Sequence, residues 1–234
     1  MKISKLSEVN YYLNSSISFF KSNFEKRINF INKKKFLFNE ISSFINNCID
    51  KSKNVFLFCA GNSIISNNIK TRKIYIKEIS EEYKIKYNQH SEYVNQVNEK
   101  DIKDCDTIVI SDIEHQLNPT SNLLELSELI NDDAKIVIIS KNIFWMIAIK
   151  IFKYFFKFSP TKNNFLPSSY LKNLFYSCNL EIIRNERIIA LPIYIPYLTN
   201  IINKIFRLPI LNFFCLTNLI ILKKIQKNYE MTKN

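Results

Sequence analysis

The sequence predicts an α/β fold, a doubly wound parallel sheet, and two observations carry that expectation. First, strand-like runs at 55–59, 73–78, 107–111 and 135–140 alternate with segments of helical period from residue 54 onward. Second, the only glycine among 234 residues, Gly61, falls directly after the first of those runs. A strand, a turn free of side chain and then a helix is how α/β folds bring backbone close to a bound nucleotide. A tight turn that needs positive φ is the plainer alternative. Elsewhere Asn and Asp stand where turns and helix ends would use glycine, as at Asn131-Asp132-Asp133 and Asn179, because both tolerate left-handed backbone.

Residues 14–49 place Phe19, Phe20, Phe24, Ile28 and Ile31, then Phe36, Phe38, Ile41 and Phe44, at spacings of three to four. That period predicts two helices broken near Lys33-Lys34-Lys35, able to cover a sheet edge or close over a ligand. Val55 to Phe58 is apolar enough for a buried strand, and Ser63-Ile64-Ile65 can open the following helix. The next strand ends at Glu78, and Ser80 with Glu81 and Glu82 reads as a capped helix start. Glu78 lies seventeen positions beyond Gly61, near the usual spacing for an acid that accepts ribose hydroxyls, although a strand end also suits a surface glutamate.

A third strand is expected over 93–97 and a loop over 98–101. After the strand at 107–111, Asn118-Pro119 is an N-cap followed by proline at the first helical position, and Leu123, Leu126 and Ile130 give that helix its buried face. The run KIVIIS at 135–140 is nearly continuous, as a strand covered on both faces should be. Ligands of such sheets sit beyond the carboxyl ends of the strands, which gathers Gly61, Glu78, Asp112, His115 and Asn142 on one rim.

A chain of this length that is 47% hydrophobic can bury one substantial core, so one domain with appendages is expected. Five cysteines without a CxxC pair point to reduced thiols, a cytoplasmic setting and no structural metal. A net charge of +12 suits an anionic partner, yet a chain crowded with Lys, Asn, Ile and Phe is also what an AT-rich coding sequence produces. The lysines are dispersed and no recognition motif accompanies them, so nucleic acid is the least favoured partner. Residues 1–10 are polar and no run of 18 uncharged apolar residues occurs, so neither a signal peptide nor a spanning helix is expected.

VFLFCAGNS at 55–63, EIS at 78–80, DTIVISDIEHQLNP at 106–119, KIVIIS and NNFLPSSYLKNLFYSCNLEIIR at 163–184 together resemble the class I S-adenosylmethionine-dependent methyltransferases. The resemblance runs from about 53 to 224, leaving 1–52 as a helical lead-in and 225–234 as a polar tail. The family's loop reads acid-x-Gly-x-Gly-x-Gly; here the positions are Leu57, Cys59, Gly61 and Ser63, so the acid and two glycines are replaced. The resemblance implies a seven-stranded, mostly parallel sheet closed by an antiparallel hairpin, with 180–188 and 217–223 as its strands. It implies S-adenosylmethionine as cofactor, with Cys59, Gly61, Ser63, Glu78 and Asp112 in contact with it. It also places Asn179 where the family ends a helix in glycine.

Methyl transfer needs alignment and exclusion of water, and a base only when the acceptor must lose a proton. His115 is the candidate for that catalytic role; a structural hydrogen bond near the Asn118 helix start is its alternative. The insert at 189–216 is too long for a hairpin turn and too apolar to hang in water, so it roofs an acceptor pocket, joins a dimer or touches a membrane. Residues 143–158, with Lys150, Lys153 and Lys157 on one helical face, suit an interfacial helix or an ordinary buried one. The expected function is methyl transfer to a small-molecule, glycan or lipid-linked acceptor with peripheral membrane contact. A relative that kept the fold, lost the cofactor and serves as an interaction module is the alternative.

Overall fold

The computed structural model describes residues 12–51, 53–84, 91–94, 96–111, 113–145, 166–192 and 194–225. Asp112 and positions 146–158 of the lysine-striped segment lie outside the described residues. Seven strands form one sheet in the order β3-β2-β1-β4-β5-β7-β6. They are β1 (Asn54–Cys59), β2 (Lys73–Glu78), β3 (Ser91–Tyr93), β4 (Thr107–Ser111), β5 (Lys135–Lys141), β6 (Leu180–Ile188) and β7 (Thr217–Lys224). The first five run parallel; β7 lies antiparallel between β5 and β6. The expected mixed sheet with a terminal hairpin is therefore present. The middle strand is β4, whereas the sequence suggests the 55–59 run of β1 as the central one.

Period-two alternation divides the core. Val55, Leu57, Cys59, Val109, Val137 and Ile139 face helix α3 (Lys35–Asn46). Phe56, Phe58, Ile108, Ile110, Ile136 and Ile138 face α5 (Pro119–Leu129) and α6 (Ser168–Ser177). A short α4 (Glu99–Lys103) precedes β4 where a loop over 98–101 is expected. Asn118 caps α5 by accepting the Ser121 N–H at 3.1 Å. Asn179 ends α6 with φ 56°, doing a glycine's work.

The lead-in forms three helices, not two: α1 (Asn14–Ser22), α2 (Phe24–Lys33) and α3. The extra break is at Asn23, whose side-chain amide donates to the Phe19 carbonyl at 2.9 Å and so competes with the helical ladder. After Gly61 the chain makes only a 3₁₀ turn, Ser63–Asn68. Its carbonyls are satisfied from outside, Ile65 O by Ser42 Oγ at 2.7 Å and Asn68 O by the Asn46 amide at 2.7 Å, so α3 substitutes for a longer helix.

The helix expected at Ser80 is likewise a single 3₁₀ turn, Glu81–Tyr83, and Ser80 makes no side-chain cap. Tyr83 is drawn inward instead, its hydroxyl donating to Phe20 O at 2.9 Å. The third strand pairs Ser91 with Ile74 and Tyr93 with Ile76, ending at the first residue of the expected 93–97, and Val97 packs into the core. Asn131–Asp133 needs no left-handed residue; among the described residues that conformation falls on Gly61, Asn179, Ile189 and Tyr197.

The insert between β6 and β7 folds as α7 (Leu198–Phe206) and a 3₁₀ turn, Asn212–Phe214. It leaves and rejoins the sheet where Ile188 pairs Thr217 and Thr217 pairs Lys141, on the carboxyl side of the parallel strands. Asn142 pins it there, donating to Phe213 O at 2.7 Å and Cys215 O at 2.8 Å. Among the described residues no helix is long and apolar enough to cross a membrane.

Candidate cofactor site

The turn after β1 is built around Gly61, whose φ of 68° is the left-handed backbone that a side chain opposes. Register places Cys59 beside Glu78, so the β2 carboxylate reaches directly under the turn. Glu78 Oε1 accepts the Gly61 N–H at 2.6 Å and the Ile79 N–H at 2.8 Å. Asn62 steadies the other side: its Oδ1 accepts the Ala60 N–H at 3.2 Å, and its amide donates to Ser111 Oγ at the end of β4. Strand β1 is thereby tied to both neighbours at the rim.

Glu78 is 5% exposed, and its second oxygen, Oε2, is buried without a hydrogen-bond partner. The Ser63 hydroxyl is near enough to favour the ionised carboxylate, but donates its own hydrogen bond to Tyr83 O at 3.3 Å. Burial raises the Glu78 pKa to about 7, against the backbone donors of Gly61 and Ile79 and the Arg27 charge, which act to lower it. A buried acceptor left open costs free energy unless something donates to it.

Above the turn lies α1. A Cβ on Gly61 would meet Phe20 Cδ1 at 3.1 Å, Phe20 Cε1 at 3.2 Å and Tyr83 Cε1 at 3.3 Å. The Phe20 ring also packs edge-on against His115, with centroids 5.2 Å apart. His115 is buried, its Nδ1 lies 3.4 Å from Ser16 Oγ, and its carbonyl accepts the Leu13 N–H at 3.0 Å. Tyr12 anchors the start of this lid, donating to Cys59 O at 2.8 Å. From α2, Arg27 Nε donates to Gly61 O at 3.1 Å.

Of the residues singled out in the sequence, Gly61, Ser63, Glu78 and His115 come together on one rim. Cys59 turns its thiol to the α3 side and offers this rim only backbone. Asn142 lies on the insert side, holding carbonyls. Phe20 was expected only as part of a helix able to cover a sheet edge or close over a ligand, and Tyr12, Arg27, Asn62 and Tyr83 were not anticipated. Each joins residues far apart in the chain, and the one available signal was the aromatic content of the lead-in. Among the described residues no group of three or more His, Cys, Asp or Glu is placed to hold a metal ion.

No family model matches the chain, and no curated protein does. Solved structures do. A possible histamine N-methyltransferase of Thermotoga maritima, described as S-adenosylmethionine-dependent, is similar with a TM-score of 0.61 at 10% identity, over 90% of this chain and 100% of its own. The magnesium protoporphyrin IX methyltransferase of Synechocystis PCC 6803, solved with S-adenosylhomocysteine, gives 0.57 at 11% identity over 89% and 97%. A TehB-like enzyme of Corynebacterium glutamicum gives 0.52 at 9% identity over 87% and 97%. The chain has the fold of the class I S-adenosylmethionine-dependent methyltransferases.

Proposed function

We propose that the protein is an S-adenosylmethionine-dependent methyltransferase acting on a small-molecule, glycan or lipid-linked acceptor, with Glu78 as the anchor for the cofactor ribose. The observation that carries this reading is Glu78 itself. A carboxylate at the end of β2, fixed by two backbone donors and left with one buried oxygen open, is the acceptor a vicinal diol would satisfy. Gly61 would let the nucleoside approach backbone, and Ser63 is small enough to permit it. Bound S-adenosylmethionine supplies an electrophilic methyl group on a sulfonium.

Phe20 and Tyr83 fill the space over Gly61, so this reading requires α1 to withdraw when the cofactor enters. The same movement would uncover His115, which can accept a proton from a hydroxyl or amine acceptor once Phe20 and Ser16 no longer cover it. α1 then both excludes water and gates the site. The replaced glycines together with that aromatic closure favour a second reading, a non-catalytic protein whose own side chains have taken the cofactor's place.

Calorimetric titration of the full chain with S-adenosylmethionine and S-adenosylhomocysteine separates the two. The first reading expects binding that Glu78→Gln weakens by about ten- to a hundredfold, the loss of a charge-assisted pair. Absence of heat at millimolar ligand, for the wild type and for a variant lacking the Phe20 ring, leaves the second reading standing.

A further inference from the structure

Helix α7 is inverted relative to an ordinary surface helix. Two of its polar residues, Thr199 and Asn203, are inside while Asn200 and Lys204 are exposed: Asn203 Oδ1 accepts the Ala190 and Leu191 N–H groups at 2.9 and 2.8 Å, and Thr199 Oγ1 accepts the Ile195 N–H at 2.7 Å. These bonds favour one rotation of the helix, because Thr199 and Asn203 are themselves buried and would lose their partners if it turned. Ile202 and Phe206 are half-buried, and the remaining apolar residues are outside. Leu198, Ile201, Ile205 and Leu208 follow helical spacing and are 45–56% exposed. Tyr197, 87% exposed in left-handed backbone, stands at one end of this stripe, and Ile210, 83% exposed, at the other.

A contiguous row of large aliphatic side chains held toward solvent marks an interaction face. The charge distribution says what kind. Residues 134–234 contain 15 Lys or Arg and 3 Asp or Glu, a net +12, whereas residues 1–133 contain 18 of each and are neutral. The whole excess charge of the sequence therefore lies in the part that carries α7, and the insert itself, 189–216, has Lys204 and Arg207 but no acid, although Arg207 meets Glu40 of α3 at 3.6 Å. Coding bias explains abundant lysine, which both parts share; it does not explain the loss of acids from one of them. A second copy bearing the same net +12 would be repelled overall, and exposed Leu and Ile do not read or stack on bases. Aliphatic side chains flanked by basic ones match an anionic bilayer, where the apolar stripe enters the acyl boundary and the cations meet headgroups.

We propose that the outward face of α7, with Tyr197 and Ile210 at its ends, docks on an anionic lipid bilayer. The insert emerges at the carboxyl rim of β5, so docking would set the rim that holds Gly61 and Glu78 near the lipid surface. The docking itself does not depend on whether that rim binds a cofactor.

Flotation of the full chain with vesicles of phosphatidylcholine alone, or mixed with phosphatidylserine, tests it without cofactor. The protein should float with the mixed vesicles, more weakly in high salt, and scarcely with phosphatidylcholine alone. Ile201→Asp with Ile205→Asp should reduce partitioning about tenfold or more. Tyr176→Asp with Ile183→Asp, the same charge change at exposed sites on α6 and β6, should stay within about twofold. Circular dichroism checks that both variants fold. No flotation with mixed vesicles, or equal loss in the two variants, overturns the proposal. So does a concentration-dependent dimer that the α7 variant dissolves without any vesicle binding, which would give the face to a second copy of the chain.

Discussion

Phe20→Ala is the substitution that reads the site most directly. The ring is almost fully buried, touching the Gly61 Cβ position at 3.1 Å, the edge of His115 and the ring of Tyr83. If a nucleoside must displace it, ligand binding carries the cost of returning a phenyl ring to water, about 1.5–3 kcal/mol. Removing the ring abolishes that cost, so S-adenosylmethionine should bind the variant about ten- to a hundredfold more tightly than the wild type. The same substitution should destabilise the free protein by about 3 kcal/mol or more, since it empties a packed site. Affinity and stability thus move in opposite directions. Phe38→Ala on α3, buried on the opposite side of the sheet, should lower stability comparably and leave affinity unchanged. Titration calorimetry paired with urea unfolding gives both quantities. A variant that binds no more tightly than the wild type refutes the idea that Phe20 occupies the ligand's place.

Gly61→Ala should destabilise by about 1–2 kcal/mol, because a Cβ is added at φ 68° and against two aromatic rings. In the Phe20→Ala background part of that loss should disappear, which urea midpoints of the double-mutant cycle would show; strict additivity counts against the contact. Glu78 gives a pH prediction. Its carboxyl binds the proton more tightly folded than unfolded, about 7 against an ordinary 4.5, so the folded state holds the extra proton between those values. Wild-type stability relative to Glu78→Gln should therefore fall as pH rises from 4.5 to 7, by about 3 kcal/mol in all. A difference independent of pH would mean that burial does not shift the group. Hydroxyl donors favour the ionised carboxylate, so S-adenosylmethionine affinity should rise over the same interval, and a flat calorimetric profile would remove Glu78 from the site.

Where burial alone dictates a pattern, the sequence was legible. The β4 run at Thr107–Ser111 and the β5 run at Lys135–Lys141 fall where their apolar content puts them, because a strand covered on both faces admits few polar residues. Asn118 before Pro119 marks a helix start by local chemistry alone, and Asn179 a helix end. The turn at Gly61 and the strand end at Glu78 were recognisable for the same reason. One answers a backbone need that nearly every other residue resists, and the other stands at a fixed distance along a strand, turn and strand.

What only the tertiary structure decided is direction. Phe19 and Phe20 are indistinguishable as sequence, yet only the second is turned onto Gly61, because the Tyr12 and Tyr83 hydroxyls hold α1 in one rotation over the rim. The left-handed conformation of Ile189 and Tyr197 follows from anchoring the insert, against the preference of both residues. In α7 the periodicity announces two unlike faces, but a period carries no record of which face meets the core. The half-buried backbone N–H groups of Ala190 and Leu191 claim the buried Asn203 side chain, and that pairing turns the Ile201 and Ile205 side outward. Local pattern sets which residues share a face; satisfaction of polar groups from distant parts of the chain sets where that face points.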